Sequence, residues 1–317
     1  MKVLLTFDIE IWCNGWNDLD RVFPARYERY VYGGSKHGQY ALPKTLEIMA
    51  RHGLRGVFFV EPLFSARFGA DYLERLVSLI REAGHEVQLH LHAEWADEIS
   101  PAILAHKGPK RQNLSQYTLD EQTQLISRAK CLLQAAGSGP LTVFRAGNQA
   151  VNRDTFTALR RNGIHIDSSL NVCFDESGAD LRDAHDLSAP FLINGVETYP
   201  VAAFRDGFGR LRPAQIGACS AAEMSDALWS ARAQGWKQFV VLSHNFELMQ
   251  PNSARPDHVV VSRFEQLCSL LARHATELPV GGFGGLAGAE AGALPWPKAS
   301  LGSGMRRYAE QIYRRLA

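Results

Sequence analysis

The chain has 317 residues, 46% of them hydrophobic and 21% charged, and its 34 basic and 33 acidic side chains leave a formal net charge of +1. That balance excludes the strongly basic surface that nucleic-acid binding needs, while the length suffices for a large α/β core. No apolar run reaches the ~18 residues of a membrane span, and Asp8 interrupts the N-terminal run before a signal-peptide core is complete. Cys13, Cys131, Cys173, Cys219 and Cys268 are odd in number, scattered and without a CxxC pair, which predicts free thiols in a reducing cytoplasm.

Taken in order, strand-like and helix-like patterns alternate. Val3 to Phe7 reads as a buried strand that runs into Asp8 and Glu10, and alternation along an extended segment puts both carboxylates on one side. Trp12 to Tyr40 is aromatic and turn-rich with no clear period, and is read as a long loop over a pocket mouth. Leu42 to His52 is helical and ends at Gly53, and Gly56 to Val60 is a buried strand. Asp71 to Glu74 resembles a capping box, with Leu73, Leu76, Val77 and Ile80 behind it at helical spacing up to Gly84. Glu86 to Leu91 is the next strand.

After a polar insertion from Glu94 to Tyr117, Thr118 to Glu121 is a second capping box. It opens a helix with Leu125, Ala129, Leu132 and Leu133 inward, stopped by Gly137. Leu141 to Phe144 is a strand that ends at Arg145-Ala146-Gly147-Asn148. A helix from Arg153 to Arg161 leads to a short strand, Ile164 to Ile166, that ends at Asp167. Val196 to Val201 is extended, Ser220 to Glu223 caps another helix, and Gln238 to Leu242 is a strand that ends at Ser243-His244. Ser262 to Glu265 starts the last core helix. About seven strands in β, α, β order predict an α/β fold with parallel strands, of the TIM-like barrel type. The barrel is expected over residues 1–278. Residues 279–317 form a Gly/Ala-rich linker and a C-terminal basic helix bearing Arg306, Arg307, Arg314 and Arg315, which either packs on the barrel or associates weakly with an anionic membrane surface.

The chemistry collects at strand ends, where ligands bind in parallel α/β architectures. Asp8 and Glu10, His90 and His92, Arg145, Asp167 and His244 come from five such ends. His90-Leu91-His92 has the spacing of two ligands on one face. With Glu10 it makes two imidazoles and a carboxylate, a set that suits zinc or a similar divalent ion. Glu94 is an alternative third ligand, and a hydrogen-bonded rim without metal is the structural alternative. His85 is read as a turn or core residue. Trp12, Trp16, Trp95 and Phe246 are aromatics near the same rim, where packing is at least as common a role as ligand contact.

These residues resemble the NodB-homology polysaccharide deacetylases, from about Lys2 to about Glu277. Thr6-Phe7-Asp8-Ile9-Glu10 looks like the family's first motif, and Phe58-Phe59-Val60-Glu61-Pro62 like its second strand. Gly84 to His90 is similar to the lead-in to its histidine motif, Phe144-Arg145-Ala146-Gly147 to its arginine motif, Asp167-Ser168-Ser169 to the next acidic motif, and Leu242-Ser243-His244 to the last. Two features depart from the common pattern: Ile9 stands where a second aspartate is usual, so that the acid moves to Glu10, and the histidines are two residues apart. With His-Leu-His and Ser-His-x-Phe-Glu, the chain looks most like a subgroup linked to bacterial O-antigen and cell-surface polysaccharide loci.

The resemblance implies a distorted (β/α)7-type barrel and hydrolytic removal of an acetyl or formyl group from an amino sugar in a surface polysaccharide or its lipid-linked or nucleotide-linked precursor. A divalent ion, zinc or else cobalt, nickel or manganese, would sit on Glu10, His90 and His92. Asp8 would be the general base, held by Arg145, and His244 the general acid, tuned by Asp167, with Trp12, Asn148 and Phe246 toward the sugar. The alternatives are an amidase on a small cyclic ureide-like compound and a glycan-binding barrel without chemistry.

Overall fold

The computed structural model describes residues 1–104, 108–286, 288 and 294–316, and the chain divides into two units. The first comprises Met1–Gly56, Ala202–Gly282 and Leu294–Ala317, and the second Val57–Val201 and Phe283–Ala293. In both, parallel strands joined by helices bear out the α/β class.

In the first unit the opening apolar run is the strand Lys2–Ile9, two residues longer at its carboxyl end than its hydrophobic stretch suggests. It pairs in parallel with Gln238–His244, in register from Lys2 opposite Gln238 to Asp8 opposite His244. Val3, Leu4, Leu5 and Phe7 are all at most 1% exposed, as expected of a parallel strand covered on both faces. Thr6 is the polar exception, and its hydroxyl donates to Val241 O at 2.7 Å.

Three helices of this unit follow their sequence signals closely enough to compare. Leu42–Arg51 has proline in its first turn and ends before Gly53, whose φ of +63° suits the turn out of the helix. Ala221–Ala233 is capped reciprocally by Ser220 and Glu223, as its sequence predicts. His258–Arg273 begins four residues before the predicted start at Ser262, because Asp257 caps it by accepting from the Val260 N–H at 3.1 Å.

Trp12 to Tyr40 is not a long loop. It holds the helix Leu19–Tyr27, a π-helical turn at Glu28–Tyr32 and a small hairpin of Gly34–Ser35 with Gly38–Gln39. Leu19, Phe23 and Tyr27 recur every fourth residue and are buried, as is Val31 beyond them. Pro24 inside the helix and left-handed Asp18 at its start hide that period in the sequence.

The C-terminal segment forms the helix Leu301–Leu316, which packs against Ala221–Ala233. Its basic residues are not all turned to solvent. The buried Arg307 bonds Asp206 Oδ2 at 3.0 Å and Glu223 Oε1 at 2.9 Å, and Arg314 pairs with Asp257 at 2.6 Å. Arg307→Leu strands two buried carboxylates, and a loss of about 3–5 kcal/mol in urea unfolding is the expected result. No described helix is long and apolar enough to cross a membrane. The predicted Gly/Ala-rich linker lies partly outside the described residues, at 287 and 289–293.

In the second unit Val57–Val60, Glu86–Leu91, Val143–Ala146, Ile166–Asp167 and Val196–Thr198 pair in parallel in that order. Among the described residues that makes five parallel strands here and two in the first unit. Phe191–Ile193 adds an antiparallel strand through a turn at Asn194-Gly195, both at positive φ. The helices Leu119–Ala135 and Arg153–Arg161 follow their predicted spans, and the Thr118/Glu121 capping box forms. Asp71, by contrast, caps nothing: Gly69 is the N-cap of the helix Ala70–Glu82, which puts Asp71 inside the first turn. The polar insertion contains short 3₁₀ turns at Ala93–Glu98 and Leu114–Gln116.

Candidate active site

In the first unit, pairing Asp8 opposite His244 sets two chemically active side chains on adjacent strands. Parallel neighbours in register point to the same face, so the acid and the imidazole come together by strand geometry alone. Glu10, two residues on, joins them as alternation predicts. Ligand atoms of Asp8, Glu10 and His244 all lie within 4.8 Å of one another. Asp8 and Glu10 are 2% and 6% exposed.

The pairing is continued past the strand ends by Asn245. Its side-chain amide accepts from the Glu10 N–H at 3.1 Å and donates to the Glu10 carbonyl at 3.1 Å, in the manner of a further strand residue. It also donates to the Tyr30 carbonyl at 2.5 Å, which ties the π-helical turn to the same point. Trp12, a stacking candidate from sequence, donates its indole N–H to Glu10 Oε2 at 2.7 Å. Phe246 stacks on the His244 ring at 5.2 Å and meets Tyr30 edge-on at 5.5 Å.

The carboxylate on His244 is Glu247, a residue to which the sequence reading assigns no role. Its Oε1 lies 2.8 Å from His244 Nδ1, so Nδ1 carries the proton and Nε2 is left to exchange one with substrate. Glu247 is itself fixed by Gln215 Nε2 at 2.6 Å, the Gly217 N–H at 2.7 Å and the Ser243 hydroxyl at 3.1 Å. Burial disfavours charge on His244, but the hydrogen bond from Glu247 and the charges of Glu10, Glu247 and Asp8 outweigh it. They raise the imidazole from its ordinary 6.5 to about 9.

In the second unit the register sets His90 opposite Arg145. His90 Nδ1 lies 2.8 Å from the Arg145 carbonyl, and His92 Nδ1 lies 3.0 Å from Glu94 Oε1. The rings are 4.9 Å apart and both are buried. Each histidine thus has its Nδ1 on an oxygen acceptor, which orients Nε2 as the ligand nitrogen; metal-binding histidines are commonly held in this way. Glu94 therefore serves His92 through one oxygen, and its Oε2 is buried with no hydrogen-bond partner among the described residues. By donor chemistry, two buried imidazoles each held at Nδ1, the histidines fit a divalent ion.

Glu61 supports the same histidine: its carboxyl accepts from the His92 and Leu63 backbone N–H groups, and burial raises it to about 8 against those bonds. Gly147 packs beneath the ring. A Cβ there would fall 2.6 Å from His92 Cγ and Nδ1. Gly147→Ala is therefore expected to displace His92 and to weaken divalent-ion binding about 10- to 100-fold, measured by titrating the metal-depleted protein with cobalt.

Arg145 is fully buried. Its Nε donates to Ser168 O at 2.8 Å and its Nη2 to Ser168 Oγ at 3.0 Å, with the guanidinium 4.2 Å over the Phe59 ring. Asp167 accepts from Ser169 Oγ at 2.5 Å and from the Ser169 N–H at 3.0 Å. Burial raises its carboxyl to about 6, with those bonds and the Arg145 charge acting in opposition. Asn148 is exposed, left-handed at φ 53°, and 3.2 Å from Asn113 Oδ1. Trp95 is no sugar platform: it is 4% exposed and packs edge-on against Phe64 and Phe68. His85 is a core residue against Phe58, as expected.

No curated protein matches the chain. Among solved structures, one provisionally named a polysaccharide deacetylase, from Mycobacterium smegmatis, is 19% identical with a TM-score of 0.51, covering 89% of this chain and 93% of that one. A family 4 carbohydrate esterase from Streptomyces lividans, in complex with acetate, is 15% identical with a TM-score of 0.45, covering 92% of this chain and 98% of that one. A CE4 family pseudoenzyme from Bacillus anthracis is 14% identical with a TM-score of 0.46, covering 90% and 64%. Over residues 34–166 the chain matches the polysaccharide deacetylase family, and it shares the fold of the mycobacterial structure.

Proposed function

We propose that the protein removes an acetyl group by hydrolysis from an N-acetylated amino sugar of a surface polysaccharide or its precursor. The observation that carries this reading is the strand-paired Asp8 and His244, with Glu247 on the far nitrogen of the imidazole. A base and a protonated acid on one face are what amide hydrolysis requires, since water must lose a proton and the amine must gain one before it departs.

Asp8 takes the proton from the attacking water. His244, protonated at neutral pH, gives one from Nε2 to the leaving nitrogen, while Glu247 holds Nδ1–H and keeps the ring from rotating. Arg145 and Asp167 shape the second unit's strand ends through Ser168 and Ser169. The metal reading is kept for the second unit's two imidazoles, His90 and His92, zinc being the ion that suits them best. It is supported by the acceptor held on each histidine Nδ1. When bound, a divalent ion polarises the amide carbonyl and lowers the pKa of water.

The test is a substrate panel of N-acetylated sugars, nucleotide sugars and cyclic ureides, given to metal-loaded and chelator-treated protein. Acetate release that is lost with chelator and restored by zinc or cobalt is the expected result. Ring opening of a ureide without acetate release would replace the sugar reading with the amidase one.

A further inference from the structure

Beside His244, within the first unit, lies a cavity of about 460 Å³ whose lining includes Arg29, Tyr30, Gln215, Glu247 and Arg314. Its charges do not balance locally. His244 is matched by Glu247 at 2.8 Å, and Arg314 by Asp257, which accepts from its Nε at 2.8 Å. The Arg29 side chain makes no hydrogen bond and no ion pair among the described residues, although it is only partly exposed. Asp8 and Glu10 act on His244, but neither lines the cavity.

The placement of Arg29 is built rather than incidental. It sits in the π-helical turn Glu28–Tyr32, a rare geometry that recurs at functional sites. That turn is fixed to the strand end by Asn245 Nδ2 on the Tyr30 carbonyl, and by the Tyr30 ring against Phe246, which in turn stacks on His244. An uncompensated guanidinium is thus held at a wall of the cavity that the acid catalyst also lines.

We propose that this cavity is a subsite for a negatively charged group on the substrate, a carboxylate or a phosphate, received by Arg29. The inference rests on the deacetylase reading of His244 and narrows it to an acidic or phosphorylated amino sugar. A guanidinium meets either anion with two parallel hydrogen bonds, and the ligand supplies the partner that the protein withholds.

The test is equilibrium binding of N-acetylglucosamine, N-acetylglucosamine 1-phosphate and N-acetylglucosaminuronic acid to the full-length protein and to Arg29→Gln and Arg29→Lys, alongside acetate release. One anionic sugar is expected to bind about tenfold or more tighter than the neutral one, the preference vanishing in Arg29→Gln and surviving in part in Arg29→Lys. Preference for the phosphate identifies a nucleotide-linked or lipid-linked precursor, and preference for the carboxylate a uronic sugar. Equal binding of all three, or a preference untouched by Arg29→Gln, overturns the subsite. Acetate released from the neutral sugar with no such preference would leave the deacetylase standing without the subsite; Arg29-dependent binding with no acetate from any sugar would do the reverse.

Discussion

Asp8→Asn is expected to lower turnover of an N-acetylated sugar by about 10²- to 10⁴-fold while the fold survives. The substitution keeps the shape of a side chain that is 2% exposed at the end of a fully paired strand. The backbone interactions at this point do not depend on the carboxylate, since the Asn245 N–H donates to the Asp8 carbonyl at 3.2 Å. What is lost is the ability to accept a proton from water. Circular dichroism and urea unfolding should therefore be close to wild type while kcat collapses. A folded variant that keeps most of its activity would remove Asp8 from the chemistry.

Glu247→Gln is expected to move a pH limb as well as a rate. His244 titrates at about 9, with burial opposing its charge and Glu247 among the groups that restore it. The wild-type kcat/KM should therefore fall on the alkaline side near pH 9, where the general acid loses its proton. Glutamine keeps a hydrogen-bond partner at Nδ1 but removes one negative charge, so the limb should move down toward the ordinary imidazole range, with activity at pH 8 reduced about tenfold. The same shift ties stability to pH. A folded-state pKa raised above 6.5 contributes stability that is complete below about 6.5 and is lost as pH rises through about 9. In Glu247→Gln that alkaline loss should be smaller. An unchanged alkaline limb would mean that another group donates the proton.

The strands that present the site were legible because their signal is short and local. Val-Leu-Leu-Thr-Phe before Asp8 and the apolar run before Ser243-His244 mark the two strands to within two residues of their carboxyl ends, and alternation then relates Asp8 to Glu10 and His90 to His92. The groups that hold the site in place were not legible in the same way. Glu247 closes the Ser-His-x-Phe-Glu signature, but it lies three residues past a strand end, where no period predicts that its side chain turns back to the imidazole. Its role depends on the approach of Gly217, whose Cβ would meet Glu247 Oε2 at 2.7 Å. Asn245 likewise mimics backbone, which no composition rule announces. Glu61 reads as a residue before proline, and only the fold brings it under the His92 amide.

Other differences have simple causes. Pro24 and the left-handed Asp18 disguise the Leu19–Tyr27 helix as loop. The Asp71 box failed because a pattern of residue types cannot show whether a helix has already begun, and this one begins at Ala70. The hairpin at Asn194-Gly195 carries a readable turn signal, although the pattern from Val196 onward predicts only an extended segment. For the C-terminal helix, counting arginines overstated its basic surface, because Arg307 and Arg314 are paired with carboxylates of the same unit.

Hydrolysis of an N-acetylated sugar in water enriched in oxygen-18, followed by mass spectrometry of the acetate, tests the central claim most directly. The wild-type protein should release acetate carrying one heavy oxygen, and Asp8→Asn should release none above background. Binding of the same sugars with no acetate released by the metal-loaded wild type would contradict the account and leave a glycan-binding protein in its place.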